Sequence, residues 1–263
     1  MKKRINTIGF GLLAGLVGMV FLSPGCQQKE KKNQAEPLVV YAAASLTDVI
    51  GEIIDSFEIR HQVRVRTNLA SSGTLARQME QGGDPDIYIS ASLKWADYID
   101  RLGLILPGFK SEIARNALVF IAPKKSKLQI DTINSSLNLL SLLGNERLSM
   151  GDPSHVPAGQ YALQSLNYYQ WYENLNNRIL PAKDVRSALM MIEIEESPLG
   201  IVYQTDAFKS KGVKILKKVP EESYEPISYI AGLCRNSKYG KEFFLYLQSD
   251  EAKGIWEKYG FKK

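Results

Sequence analysis

LVVYAAASLTDVIGEIIDSF, residues 38–57, reads as one strand followed by one helix. Residues 38–42 are an apolar run of strand length. Leu46, Val49, Ile50, Ile53, Ile54 and Phe57 then return at helical spacing. The same alternation continues outward. Residues 63–67 (VRVRT) alternate as a strand does, 74–81 look helical, 86–90 (DIYIS) look like a strand, and Trp95, Tyr98, Ile99 and Leu102 mark a helix. Residues 117–122 (ALVFIA) read as a buried strand that Pro123 stops. Further strands are expected over 147–150, 199–203, 213–216 and 227–233, and helices over 158–169, 185–195, 241–247 and 251–258. Repeated units of this kind predict an α/β fold, with a mixed, mostly parallel sheet and helices on both faces.

The N-terminus reads differently. Lys2, Lys3 and Arg4 precede an uncharged apolar run over 5–22, and Ser23-Pro24-Gly25-Cys26 follows. That order predicts a secretory signal over 1–25. The run is long enough to span a membrane on its own. The small residues before Cys26 decide for cleavage, because they resemble a bacterial lipobox, although Ser23 stands where the usual pattern has an aliphatic residue. Cys26 would then be lipidated, and 26–36 would be a polar tether unable to bury a core. Removing the three basic residues leaves 30 Lys and Arg against 28 Asp and Glu, a net charge of +2 instead of +5. A chain so near neutrality carries no footprint for nucleic acid. Cys234, the other cysteine, lies in the apolar run 230–234 and is expected as small core filler. No disulfide and no metal spacing follow from two such cysteines.

Open α/β sheets bind ligands beyond the carboxyl ends of their strands, so the strand-to-helix junctions are the candidate sites. Ser45 precedes a helix with Asp48 three residues on, which fits a plain helix cap as well as a ligand donor. Ser71-Ser72-Gly73-Thr74 opens another helix. In Gly151-Asp152-Pro153-Ser154-His155-Val156-Pro157-Ala158-Gly159, Pro157 suits a first helical turn and leaves the Ala158 N–H free. Asp184 is a cap candidate before Val185, and Tyr203 ends a strand. Helix N-termini favour anions through unpaired N–H groups and the aligned peptide dipoles. Neutral donors suit a fully deprotonated oxyanion. Monohydrogen phosphate keeps a proton and wants an acceptor, for which Asp152 and Asp184 are the nearest candidates in sequence.

The string from Gly151 to Gly159 is similar to a motif of the periplasmic molybdate-binding proteins of molybdate ABC transporters, in the type II periplasmic binding-protein class. Ala42-Ala43-Ala44-Ser45-Leu46-Thr47, Ala70 to Gln78, Asp86 to Ala91, Asp184-Val185-Arg186, Leu199 to Tyr203 and Tyr259-Gly260-Phe261 match in the same order. The resemblance implies two lobes, 37–116 with 228–263 and 117–227, joined by two hinge crossovers near 116–122 and 227–232. It implies molybdate or tungstate held by Ser45, Ser72, Ala158, Val185 and Tyr203, with no cofactor and no side-chain metal ligand. It also implies a monomeric periplasmic receptor serving an ABC permease, which a lipid on Cys26 would anchor to a membrane. Gly73 stands where some relatives carry serine, and the difference is expected at most to tune the site.

Two other readings differ in class. A serine-nucleophile enzyme is disfavoured, because the chain has only His61 and His155 and no G-x-S-x-G elbow. His61 is expected at the surface, and His155 as structural or solvated. A receptor for sulfate, phosphate or an organic solute is the nearer alternative. An amino-acid receptor would show an arginine for the carboxylate, whereas Arg77 and Arg186 are expected on solvated helix faces. Tyr168, Tyr169, Trp171 and Tyr172 are expected to pack, and Lys124, Lys125 and Lys127 to form a solvated loop.

Overall fold

The computed structural model describes residues 36–262. The signal, Cys26 and nearly all of the tether lie outside the described residues. None of the described helices is long and apolar enough to cross a membrane.

The chain first builds β1 (Leu38–Ala43), α1 (Thr47–His61), β2 (Val65–Ala70), α2 (Ser72–Glu80), β3 (Ile87–Ser90), α3 (Leu93–Arg101) and β4 (Lys110–Asn116). It then passes to β5 (Leu118–Pro123), α4 (Leu139–Leu143), β6 (Leu148–Gly151), α5 (Pro157–Tyr168), α6 (Tyr172–Leu175), β7 (Ile179–Ala182), α7 (Val185–Glu193), β8 (Leu199–Tyr203), α8 (Gln204–Lys209) and β9 (Val213–Lys218). It returns as β10 (Ile227–Leu233), α9 (Lys238–Tyr246) and α10 (Asp250–Lys258).

Two five-stranded sheets result, ordered β2-β1-β3-β10-β4 and β7-β6-β8-β5-β9. The apolar runs explain which strands lie inside. Every residue of β3, β5, β6, β8 and β10 is buried, as strands covered on both faces require. The sheets are more evenly mixed than the βα pattern predicts. β10 and β5 run antiparallel to both their neighbours, so four of the eight pairings among the described residues are parallel.

The crossovers sit slightly off their expected places. The first takes only Ala117, between β4 and β5, and the rest of 116–122 is ladder. The second spans 219–226, because 227–232 already pairs with β3 and β4. Tyr169 and Trp171 stack with centroids 4.5 Å apart, and Trp171 meets Phe120 edge-on, so these two of the expected aromatic cluster pack, whereas Tyr168 is exposed.

Candidate functional site

The six strands that pair in parallel end at one place. The carboxyl ends of β1, β2, β3, β6, β7 and β8 bring Ser45, Ser72, Ala91, Ala158, Val185 and Tyr203 around a single cavity. All five residues implied by the resemblance line it. Among the described residues no lysine or arginine does. The cavity is small, about 10 Å³, close to the minimum that holds one water molecule.

Ser45 is not a helix cap. A 3-10 turn over Ala44–Leu46 precedes α1, whose N-cap is Leu46 without a side-chain bond. The Ser45 hydroxyl is instead 2.9 Å from the Tyr229 hydroxyl. Asn116 Nδ2 donates to that same Tyr229 oxygen at 3.2 Å. Burial pushes the Tyr229 phenol well up in pKa, so it keeps its proton. With its oxygen accepting from Asn116, that proton is directed to Ser45 Oγ, which leaves the serine proton for the cavity. Ser72 is held in the same sense. Its Oγ accepts the Ala91 N–H at 2.9 Å and its carbonyl accepts the Tyr88 hydroxyl at 2.8 Å. The cap of α2 is Ser71, whose side chain accepts the Thr74 N–H.

The second sheet supplies donors without partners. Ala158 is the second residue of α5, after Pro157, and Val185 is the first of α7. N–H groups in a first turn have no intrahelical acceptor. Asp184 lines the cavity, but its Oδ1 accepts the Ser187 N–H at 2.7 Å as the α7 cap. Asp152 does not line it, and Oδ1 there accepts the Ser154 N–H at 2.8 Å. Tyr203 is buried, and its hydroxyl has no hydrogen-bond partner. Burial raises its pKa well above that of an ordinary phenol, so it is a donor at physiological pH. An orphaned buried hydroxyl costs about 1–3 kcal/mol, which an acceptor in the cavity would recover. Three helix N-termini, those of α2, α5 and α7, meet here, each favouring negative charge by about 0.3–1 kcal/mol.

The glycines of the long motif fix this geometry. A Cβ on Gly159 would lie 2.0 Å from the Gly151 carbonyl oxygen, so only glycine lets α5 start against the end of β6. Gly73 is likewise more than a tuning position. Its N–H donates 3.1 Å to the His155 carbonyl, joining α2 to the loop before α5. A Cβ there would lie 2.4 Å from that oxygen and 2.6 Å from the Trp95 ring, which leaves no room for serine. His155 therefore matters through its backbone, while its ring meets Ser154.

Three further expectations change. His61 is half-buried, stacked on Phe57 at 4.1 Å with Nδ1 3.0 Å from Glu242. Arg186 is not on a solvated face, since it pairs with Asp206 and with Asp48. Cys234 is half-buried, at the margin of a small cluster beneath α2 and α3. Among the described residues no group of acidic, histidine or cysteine side chains could hold a metal ion.

Two mixed sheets, joined by two passages with a donor-lined cavity between them, define a two-lobed periplasmic-type binding protein. The chain belongs to the family of bacterial extracellular solute-binding proteins, whose signature matches residues 38–262. It is 42% identical to the molybdate-binding protein ModA of Escherichia coli over 226 residues, 85% of this chain and 88% of that one. It is 34% identical to ModA of Haemophilus influenzae, with 98% of each chain covered. The periplasmic molybdate-binding protein of Azotobacter vinelandii has the same fold, with a TM-score of 0.75 at 22% identity, covering 86% of this chain and 99% of that one. These relatives are binding proteins, not enzymes.

Proposed function

We propose that this chain captures molybdate or tungstate outside the cytoplasm and hands it to an ABC importer. The observation that carries the reading is the meeting of Ser45, Ser72, Ala158, Val185 and Tyr203 at one cavity without a cationic side chain. Hydroxyls would come from Ser45, Ser72 and Tyr203, and backbone N–H groups from Ala158 and Val185. Neutral donors alone favour a fully deprotonated dianion over one that keeps a proton. The identity of the ion rests on the relatives named molybdate-binding proteins.

Lobe one comprises 37–116 with 228–263, and lobe two 117–227. Sheet membership supports this division, except that Ile227 belongs with β10. Each lobe supplies donors, so an ion bound between them favours the closed arrangement by population shift. A monomer tethered through lipidated Cys26 would present that closed form to the permease.

Calorimetric titration of residues 36–263 with molybdate, tungstate, sulfate and phosphate tests the reading. Molybdate and tungstate should bind, and sulfate and phosphate should bind far more weakly. Equal affinity for sulfate would move the assignment to a general oxyanion receptor. Cys26→Ala should release the full-length protein from membranes in a detergent-free fractionation, and continued retention would refute the lipid tether.

A further inference from the structure

Three charged side chains stand immediately behind the cavity, each tied by sequence to one of its donors. Asp48 follows Ser45 by three residues, Arg186 follows Val185 by one, and Asp206 follows Tyr203 by three. Asp206 is buried in α8, and neither of its carboxylate oxygens has a hydrogen-bond partner. Its counter-charge is Arg186, whose Nε lies 2.6 Å from Asp206 Oδ1 as an ion pair without an aligned hydrogen bond. The other end of the same guanidinium ion-pairs with Asp48 at the start of α1. Asp48 belongs to the first sheet's half, whereas Arg186 and Asp206 belong to the second. At the same boundary α7 packs against the turn that carries Ser45.

A buried carboxylate held by a single imperfect ion pair costs more than an apolar residue of the same volume would. Its position fits an anchor. Arginine can hold two carboxylates at once through its planar fork, which lysine cannot do. We infer that Arg186 is a positioning residue: fixed on Asp206 and reaching across the cleft to Asp48, it ties the approach of the two sheets to occupancy of the cavity. This inference rests on the anion-capture reading. A ligand that draws the Val185 N–H towards Ser45 also draws Arg186 onto Asp48, and the ion pair holds the pocket shut around the ion. The latch acts on escape rather than entry, since the contact forms only once the halves have approached.

Asp48→Asn separates this from simple electrostatics, because the two predict opposite signs. Removing a negative charge near an anion site should tighten binding if charge alone matters. Removing a latch should weaken it. Stopped-flow and calorimetric titration with molybdate should show about a tenfold weaker Kd in D48N, through faster dissociation at unchanged association. Asp48 is exposed, so the variant should melt, without ligand, at the native temperature. Arg186→Lys keeps the charge but not the fork and should also speed dissociation. Native protein that binds no oxyanion would overturn the capture reading and the latch together. Native protein that binds molybdate, with D48N equal to it or tighter, would overturn the latch alone.

Discussion

The two halves of the site are prepared in opposite ways. On the first sheet's side, Ser45 and Ser72 already accept hydrogen bonds from Tyr229 and from the Ala91 N–H, so their oxygens are fixed before any ligand arrives. On the second sheet's side the polar groups are unmet. The Tyr203 hydroxyl has no partner, both Asp206 oxygens lack a hydrogen bond, and the Ala158 and Val185 N–H groups sit in first turns. One half is pre-oriented and internally satisfied. The other half holds the deficit that a bound anion would meet. Substitutions on the second side should therefore relieve the unliganded protein, and substitutions on the first side should damage it.

Asp206 provides the largest test of that asymmetry. Burial pushes its carboxyl up from the ordinary aspartate range to about 7, against the pull of Arg186 and with the push of Asp48 and Asp184. A raised carboxyl pKa means that the folded state holds the proton more tightly than the unfolded chain does. The resulting stability is fully present below about pH 4 and is lost as pH rises through about 7. Urea unfolding should show the native protein losing stability between about pH 4 and pH 7, on the order of a few kcal/mol. Asp206→Asn should lack that loss, so its advantage over native should grow with pH. An equal pH slope in the two proteins would mean that Asp206 is ionised and well compensated.

Tyr203→Phe comes next. It removes an orphaned hydroxyl, so the unliganded protein should melt at the same or a higher temperature. It also removes a donor to a charged ligand, worth about 1.5–3 kcal/mol, so molybdate affinity should fall roughly 10- to 100-fold. Unchanged affinity would take Tyr203 out of the site. Ser72→Ala should behave in the opposite way. The Ala91 N–H loses its buried acceptor, and thermal unfolding should show about 1–3 kcal/mol of lost stability even without ligand. If S72A melts as native does, the first half is not the satisfied one.

The strand ends were more legible than what happens beyond them. β1, β5, β8 and β10 are apolar runs, and their positions follow from composition alone. β4 (KSEIARN) was not expected, because as an edge strand it buries only Ile113 and Ala114. β7 (ILPA) is too short and too exposed to signal itself. At the site, the junction logic reached Ser45, Ser72, Ala158, Val185 and Tyr203, all of which line the cavity, but it could not tell the cap from the donor at Ser45. Whether a serine before a helix caps that helix or serves a cavity depends here on Tyr229, 184 residues away. Arg186 was misjudged for the same reason, since its partners lie on other elements. Gly73 needed the His155 carbonyl in place before its missing side chain acquired a meaning.

The smallest expected effect lies in the chain from Asn116 through Tyr229 to Ser45. Asn116 ends β4, directly before the first crossover. It gives one Nδ2 contact to Tyr229 and another, at 2.8 Å, to Thr205 of α8, while its Oδ1 accepts the Ala117 N–H. The amide is thus fully engaged and points the hydroxyl relay in one direction. Tyr229→Phe keeps the ring contacts with Tyr203 and Phe261 and removes the hydroxyl that orients Ser45 and accepts from Asn116. The serine hydroxyl stays in the cavity but becomes free to turn. Molybdate affinity should fall only a few-fold, about the 0.5–1.5 kcal/mol of one neutral hydrogen bond, and S45A added to Y229F should cost less than S45A alone. A double-mutant cycle measures this coupling. Strict additivity would show that Ser45 is oriented by its own turn, and the first half would then be satisfied locally, without the relay from the crossover.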